Sequence, residues 1–285
     1  TILIMLTDKD LEISNIKGMS EAFNRRIYKY IGYEDAMKYI LINKNTLKFS
    51  SPDDFNDPFD CYEGFVNFSN VPPYAIFDDT ANRLLDKSIA KEISLRTKQI
   101  LNNKKARANF FKEQKKDYRV SCFSKTYDEV LMWSHYASKH TGVCIGFEFP
   151  TEPLPKDFIV FPVLYKDNVQ PFDVYANPYR IILHWITTKS HHWKYEEEVR
   201  AVIKSNSKKL LHDGTNYYYE IEKDWIKEIV FGCKVSDKAV EKTIRLIRKN
   251  GFKNMLIKRM FINPDNFSLE ETIIADIQNY KNIVK

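Results

Sequence analysis

The chain has 285 residues, of which 44% are hydrophobic, so it can bury a substantial core and is predicted to be globular. Its formal charge of +6 is moderately basic, and its eight glycines form no G-x-G-x-x-G or G-K-[ST] pattern, which argues against a Rossmann or P-loop phosphate site. The four cysteines are widely spaced and no apolar run reaches the roughly 18 residues of a membrane span, so we expect a cytoplasmic protein with reduced thiols and no membrane partner.

The first half of the chain opens with a weakly patterned N-terminal arm, residues 1–18, and residues 19–285 are predicted to form one α+β domain. Alternating apolar positions predict strands in RIYKYIG and TLKFSSP, with a helix in YEDAMKYILIN between them. The turn formers of DDFNDPFDCYEG then predict a loop. Residues of about 79–117 show helical periodicity, which we interpret as an inserted helical layer.

The second half alternates strands and helices. YRVSCFSK and TGVCIGFEF read as strands on either side of a helix in DEVLMWSHYASKH, and a further helix is predicted in PYRIILHWITTKSHH. After a strand in EVRAVIKS, the segments IKEIVFG, SDKAVEKTIRLIRKNG and FKNMLIKRMFI predict a closing strand, helix and strand. The predicted fold class is α+β with a mixed central sheet.

The segment WKYEEEVR places three adjacent carboxylates before an arginine. On a strand, Glu196, Glu198 and Arg200 would share one face and Glu197 would take the other, with the first two carboxylates about 7 Å apart. Two interpretations stay open. The cluster is either a pair of working carboxylates with Arg200 as their counter-charge, or a surface salt bridge on an edge strand.

Several motifs together resemble a bacterial family that is catalogued as domain of unknown function 2971. They are YKY, TLKFSSPDDFNDPFD, CFS, LMWSHYASKHTGVCIGF and WKYEEEVR. The resemblance extends from about Ile27 to Phe261, and the family name implies no activity.

The order of elements is also similar to that of ADP-ribosyltransferases, which implies a sheet of that type and NAD as the substrate. By this resemblance Lys29 or Tyr30 takes the role of the NAD anchor on the first strand, although the family usually has arginine or histidine there. Ser121 or Ser124 takes the role of the small residue on the second strand. The acceptor would be a nucleic acid or a protein, as for a toxin or defence effector.

The same resemblance makes Glu198 the catalytic glutamate and Glu196 the first member of the E-x-E pair of arginine-directed transferases. Breaking the nicotinamide glycosidic bond develops an oxocarbenium ion, and a carboxylate that binds the ribose 2'-hydroxyl stabilises it. Glu196 would orient or deprotonate the acceptor, and Arg200 would keep both carboxylates charged.

Other polar residues have weaker signals. His135 and Tyr136 lie on a predicted helix and are candidates to line the cleft, although a packed or capping histidine is the ordinary outcome. Asn56, Asp57 and Asp60 in FNDPFD could hold a ribose or a metal, whereas an Asx turn before Pro58 is the more common use of such residues. No metal site is assigned, because the histidines lack H-E-x-x-H or cysteine companions.

Two alternative functions remain beside the transferase. One is a metal-dependent nuclease with Asp57, Glu196 and Glu198 as oxygen ligands, and the other is a catalytically inactive module that binds nucleic acid. Both would use the basic segments Asn102 to Arg119 and Lys234 to Arg259, which equally suit solvated helical faces.

Overall fold

The computed structural model describes residues 26–42, 44–67, 92, 95, 103–150, 158–173 and 181–277. These residues belong to two compact units. The first takes its residues from 51–118 and 163–192, and the second from 17–50, 119–162 and 193–285. The predicted N-terminal arm and most of the predicted helical layer lie outside the described residues. No helix in the described ranges is long and apolar enough to span a membrane.

The second unit is built on a mixed eight-stranded sheet with the strand order β15-β14-β13-β5-β1-β4-β10-β6. Its strands are β1 (Ile27–Ile31), β4 (Tyr118–Ser124), β5 (Val143–Phe147), β6 (Phe158–Pro162), β10 (Glu198–Lys204), β13 (Ile226–Phe231), β14 (Leu256–Ile262) and β15 (Leu269–Asp276). Strand β1 pairs antiparallel with both β4 and β5, and β13 pairs parallel with β14. The predicted mixed sheet is confirmed.

The described part of the second unit also contains a smaller antiparallel sheet and several helices. The sheet contains β2 (Thr46–Phe49), β11 (Leu210–His212) and β12 (Tyr217–Glu220) in the order β11-β12-β2. The α-helices are α1 (Tyr33–Asp35), α3 (Val130–Tyr136) and α5 (Asp237–Lys249). Helix α1 passes directly into a π-helix (Ala36–Ile42). Strands β6, β11, β12 and β15 of this unit were not among the sequence predictions.

The first unit contains shorter elements. Its strands form two parallel pairs, β3 (Val66–Asn67) with β8 (Phe172–Asp173) and β7 (Leu164–Lys166) with β9 (Thr188–Ser190). Its helices are α2 (Lys104–Lys115) and α4 (Ile181–Thr187). The predicted helix in PYRIILHWITTKSHH therefore ends at Thr187 and is followed by a strand, which the β-branched pair of threonines favours.

The two faces of the large sheet differ in composition. Ile27 of β1, Phe123 of β4 and Val199 of β10 belong to one apolar cluster, into which α5 and the π-helix also pack, and we call this side the apolar face. Tyr28 and Tyr30 of β1 belong to a second cluster. Because successive side chains of a strand alternate between faces, this second cluster marks the opposite side of the sheet, which we call the polar face.

Helix α3 covers part of the polar face through Met132 and Trp133. It begins at Val130, one residue after Glu129, whose carboxylate accepts a hydrogen bond from the Leu131 amide at 3.1 Å. The predicted extension of this helix to His140 is wrong. The three residues 138–140 all have positive φ, between 48° and 71°, and form a left-handed turn that ends the helix.

Helix α5 follows its sequence signals closely. The Ser236 hydroxyl oxygen accepts a hydrogen bond from the Ala239 amide at 3.3 Å and caps the first turn. Gly251, with φ of +73°, lies just beyond the last turn, where a left-handed residue commonly stops a helix. Both predicted ends of the helix are confirmed.

Candidate active site on the polar face of the sheet

The centre of the candidate site is an ion pair within β10. The Arg200 Nε donates to Glu198 Oε1 at 2.8 Å, and its Nη2 donates to Oε2 at 3.0 Å. Glu198 is 4% exposed and Arg200 is 0% exposed, and β10 lies between β4 and β6 in the interior of the sheet. The interpretation of this cluster as a surface salt bridge on an edge strand is therefore wrong.

The direction of these side chains follows from alternation. Val199, Ala201 and Ile203 enter the core on the apolar face. Glu198 and Arg200 therefore lie on the polar face, as the pattern of EVRAVIKS predicts.

Glu196 does not lie on the same strand. It is the last residue of a 3₁₀-helix (His191–Glu196), and Glu197 between it and β10 has a φ of +43°. The predicted alternation of all three glutamates along one strand is wrong at this point, because the chain turns at Glu197. Glu197 is nevertheless separated from the other two glutamates, as predicted. It is exposed, whereas Glu196 is 3% exposed and accepts a hydrogen bond from the Tyr136 hydroxyl at 2.6 Å.

Strand β4 lies directly beside β10, so the strand of Ser121 and Ser124 neighbours the strand of Glu198. The Lys125 amide donates to the Glu197 carbonyl at 3.0 Å where β4 ends. Ser124 is buried on the polar face, opposite Tyr28 of β1, and its hydroxyl oxygen accepts from the Thr126 amide at 3.1 Å. This serine is therefore fixed close to the start of β10.

Lys29 and Ser121 lie on the apolar face. The Lys29 Nζ donates to Ser121 Oγ at 3.1 Å and to the Cys122 carbonyl at 3.0 Å, and it lies 5.1 Å from the centroid of the Phe123 ring. Burial lowers the pKa of Lys29, with a smaller opposing effect from Cys122 and Glu198. The structure thus brings two predicted NAD contacts together, but on the side of the sheet away from the Glu198 carboxylate.

The alternative anchor, Tyr30, does lie on the polar face. Its ring packs edge-on against Trp133 with centroids 5.3 Å apart, and it is largely buried. Burial also raises the pKa of the Tyr30 phenol, which therefore stays neutral at physiological pH. Tyr30 can contribute a neutral hydrogen-bonding group, whereas it supplies no positive charge.

Helix α3 carries two further predicted residues. Tyr136 is half-buried and holds Glu196, as described above. His135 is exposed, with its ring centroid 6.1 Å from that of Tyr136 and 6.4 Å from that of Tyr195. Tyr136 therefore contacts the Glu196 side chain from the helix that covers the polar face, whereas the ring contacts of His135 are with Tyr136 and Tyr195.

Cys122 is a site residue that sequence analysis missed. Alternation along β4 places it on the polar face with Ser124, and its thiol forms a hydrogen bond with Glu198. Burial, and then the negative charge of Glu198, raise the pKa of the Cys122 thiol, so that it stays protonated and donates to the carboxylate. The spacing of two residues from Ser124 was the signal that could have found it.

Asn56 and Asp57 belong to the first unit. Asn56 is exposed, and the Asp57 Oδ1 accepts from the Phe59 amide at 2.9 Å, which is the Asx turn around Pro58 that the sequence favours. Within the described ranges, no group of three His, Cys, Asp or Glu residues is arranged to hold a metal ion. Neither Asp57 in the first unit nor Glu196 and Glu198 in the second therefore belongs to such a ligand group in the described residues.

Comparison with known protein families identifies the central part of the chain. The model described as "Protein of unknown function (DUF2971)" matches residues 132–201. The predicted resemblance to this family is confirmed over these residues. The matched segment runs from Met132 on α3 to Ala201 on β10, so it includes Tyr136, Glu196 and the Glu198–Arg200 pair. No curated protein and no solved structure gives a significant match to the chain.

Proposed function

We propose that this protein is an NAD-dependent enzyme of the ADP-ribosyltransferase type, with Glu198 as the catalytic carboxylate. The observation that carries the proposal is the position of Glu198: a desolvated carboxylate, fixed by two hydrogen bonds from Arg200, beside the strand that carries Ser124. A fixed negative charge of this kind is suited to a cationic transition state, because its orientation requires no reorganisation during the reaction.

The reaction would break the bond between C1' of the ribose and the nicotinamide nitrogen. The electron pair leaves with nicotinamide, and the positive charge that develops on the ribose is stabilised by the Glu198 carboxylate. Each carboxylate oxygen has further acceptor capacity beyond its bond to Arg200, so it can also accept from the 2'-hydroxyl. The Arg200 guanidinium offsets the cost of keeping this charge in the interior.

The second half of the reaction concerns the acceptor. A hydroxyl or amine of the acceptor forms the new bond to C1', and its proton passes to a base. Glu196 is the candidate base, because it lies two residues from Glu198 and is oriented by Tyr136. With Lys29 on the apolar face, Tyr30 is the remaining candidate for the anchor role, and His135 is a candidate contact from α3.

Strand order also supports the proposal. The ADP-ribosyltransferase resemblance requires the anchor strand, the serine strand and the glutamate strand to border one substrate. In this sheet β1, β4 and β10 are consecutive neighbours. Tyr30, Ser124 and Glu198, one from each strand, all lie on the polar face.

The test is nicotinamide release from NAD by the purified protein, with and without nucleic-acid and protein acceptors. Glu198→Gln keeps the shape of the side chain but removes its charge, so we expect release to fall about two to three decades, corresponding to roughly 3–4 kcal/mol of transition-state stabilisation. Glu197→Gln is the matched control, since Glu197 is exposed, and it should retain wild-type release. Glu196→Gln should retain NAD hydrolysis and lose transfer to the acceptor.

Two results would overturn the proposal. One is equal nicotinamide release by the wild type and by a Glu198→Gln variant whose unfolding midpoint is unchanged. The other is the absence of any release by the wild-type protein with every acceptor tested. Nucleic-acid cleavage that is abolished by chelation of divalent metal would instead favour the nuclease.

A further inference from the structure

The outer side of α5 carries four cations in one row: Lys238, Lys242, Arg245 and Lys249. We call these residues the α5 basic row. At 3.6 residues per turn their spacing of four, three and four residues confines them to an arc of about 60°, and at 1.5 Å per residue the row is about 16 Å long. All four side chains are exposed.

These cations are not neutralised by neighbouring acids. In the described part of the chain, none of the four has a carboxylate oxygen within 4.0 Å, whereas the nearby Arg259 pairs with Asp237. The two acids of the helix, Asp237 and Glu241, lie about 60° or more from the centre of the row when projected along the axis. Glu241 is three residues from Lys238 and four from Arg245, so it lowers the potential at one edge of the row, but four cations beside this one acid leave the row positive.

The helix backbone that carries the α5 basic row is fixed by packing within the protein itself. On the opposite side of α5, Val240 and Ile247 are buried in the apolar cluster, and Thr243 is fully buried. The helix has its serine cap and its glycine stop. A rigid backbone lowers the conformational entropy that must be lost when charged side chains bind a partner.

The partner that fits this surface is a polyanion with regularly repeated charges. A nucleic-acid strand carries one negative charge per roughly 3.4 Å of axis, so a row of this length faces about five phosphates. Helices that lie on anionic membranes also insert large apolar side chains, and α5 exposes none. We propose that the α5 basic row docks the phosphate backbone of a nucleic acid, without reading its sequence.

This surface is separate from the candidate active site. Helix α5 packs on the apolar face of the sheet, whereas the Glu198 carboxylate lies on the polar face. A nucleic acid on the row would be held by the protein without lying over Glu198. The proposal therefore does not depend on the NAD chemistry and is tested in the absence of NAD.

The experiment measures binding of a fluorescently labelled oligonucleotide, single-stranded and duplex, by polarisation between 50 and 200 mM salt. The test variant is Lys242→Gln/Arg245→Gln, and the matched control is Lys208→Gln/Lys209→Gln, which removes the same charge from another exposed site. We expect the test variant to bind at least tenfold more weakly. Its slope of log K against log salt should fall by about 1.4 for the single strand and about 1.8 for the duplex.

Circular dichroism would verify that both variants are folded, as we expect for substitutions of exposed side chains. Equal weakening by the control variant would overturn the proposal, because binding would then reflect net charge alone. So would the absence of oligonucleotide binding at 50 mM salt, or tighter binding to phosphatidylserine vesicles than to either oligonucleotide.

Discussion

Replacing Arg200 by methionine would test whether the Glu198–Arg200 pair is an interior ion pair. Methionine preserves much of the volume but leaves the Glu198 carboxylate, which is 4% exposed, without its cation. The change removes two hydrogen bonds, at 2.8 and 3.0 Å. Hydrogen bonds to charged groups contribute about 1.5–3 kcal/mol each, and breaking a buried pair from one side typically costs about 3–5 kcal/mol. We therefore expect the free energy of unfolding to fall by about 3–5 kcal/mol.

The assay is urea denaturation followed by tryptophan fluorescence, for which the fully buried Trp133 is a suitable reporter. A double variant, Glu198→Met/Arg200→Met, leaves no uncompensated charge in the interior. It should be more stable than Arg200→Met alone, with a coupling free energy of about 1–3 kcal/mol. The reasoning is refuted if Arg200→Met unfolds within about 1 kcal/mol of the wild type, or if the double variant is the less stable of the two.

Two further predictions concern residues of β1 and the turn that precedes β5. A Cβ on Gly142 would lie 2.4 Å from the Ile31 carbonyl oxygen and 2.8 Å from that of Ala137. Gly142→Ala should therefore lower the free energy of unfolding, measured by urea denaturation, by about 1–3 kcal/mol. An unchanged unfolding midpoint would contradict this close approach. Because burial lowers the pKa of Lys29 below that of an ordinary lysine, the unfolded state binds more protons at any pH between the folded and unfolded pKa values. Stability should therefore rise with pH through that window. Lys29→Met should lack this rise when unfolding is measured at pH 7 and pH 9.5, and parallel pH profiles of the two proteins would contradict it.

Sequence analysis located most strands of the large sheet, because alternation is a strong signal wherever a strand separates two different environments. In EVRAVIKS the apolar residues Val199, Ala201 and Ile203 predicted which face is the core, and the structure confirms it. The same reasoning placed Glu198 and Arg200 together. The two opposed charges on the polar face were therefore predictable before any coordinates.

Alternation along a strand narrows the alternatives that the resemblance leaves for the cofactor contacts. Lys29 and Tyr30 are adjacent in β1 and lie on opposite faces, so at most one of them can border a substrate on the polar face. Ser121 and Ser124 are three residues apart in β4 and are separated for the same reason. The order of the strands in the sheet is a feature that the sequence does not reveal, because β1 lies between β4 and β5 through pairing of residues distant in the chain.

The turn at Glu197 could not be predicted from local preferences. A left-handed conformation costs a residue with a Cβ about 1–2 kcal/mol, and glutamate is rarely found there. The structure compensates with a tertiary contact, since the Glu197 carbonyl accepts from the Lys125 amide at 3.0 Å. That hydrogen bond depends on β4 and β10 being neighbours, which the sequence of either strand does not reveal.

This turn also determines how the two buried carboxylates differ. By ending the 3₁₀-helix before β10 begins, it leaves Glu196 within reach of the Tyr136 hydroxyl, whereas Glu198 enters the strand and meets the Arg200 guanidinium. A guanidinium favours the charged form of a carboxylate through its own charge and its hydrogen bonds, whereas a phenol favours it through a hydrogen bond alone. Neighbouring carboxylates in different environments are how enzymes divide electrostatic stabilisation from proton transfer. The left-handed residue is therefore the local feature that supports assigning charge stabilisation to Glu198 and proton transfer to Glu196.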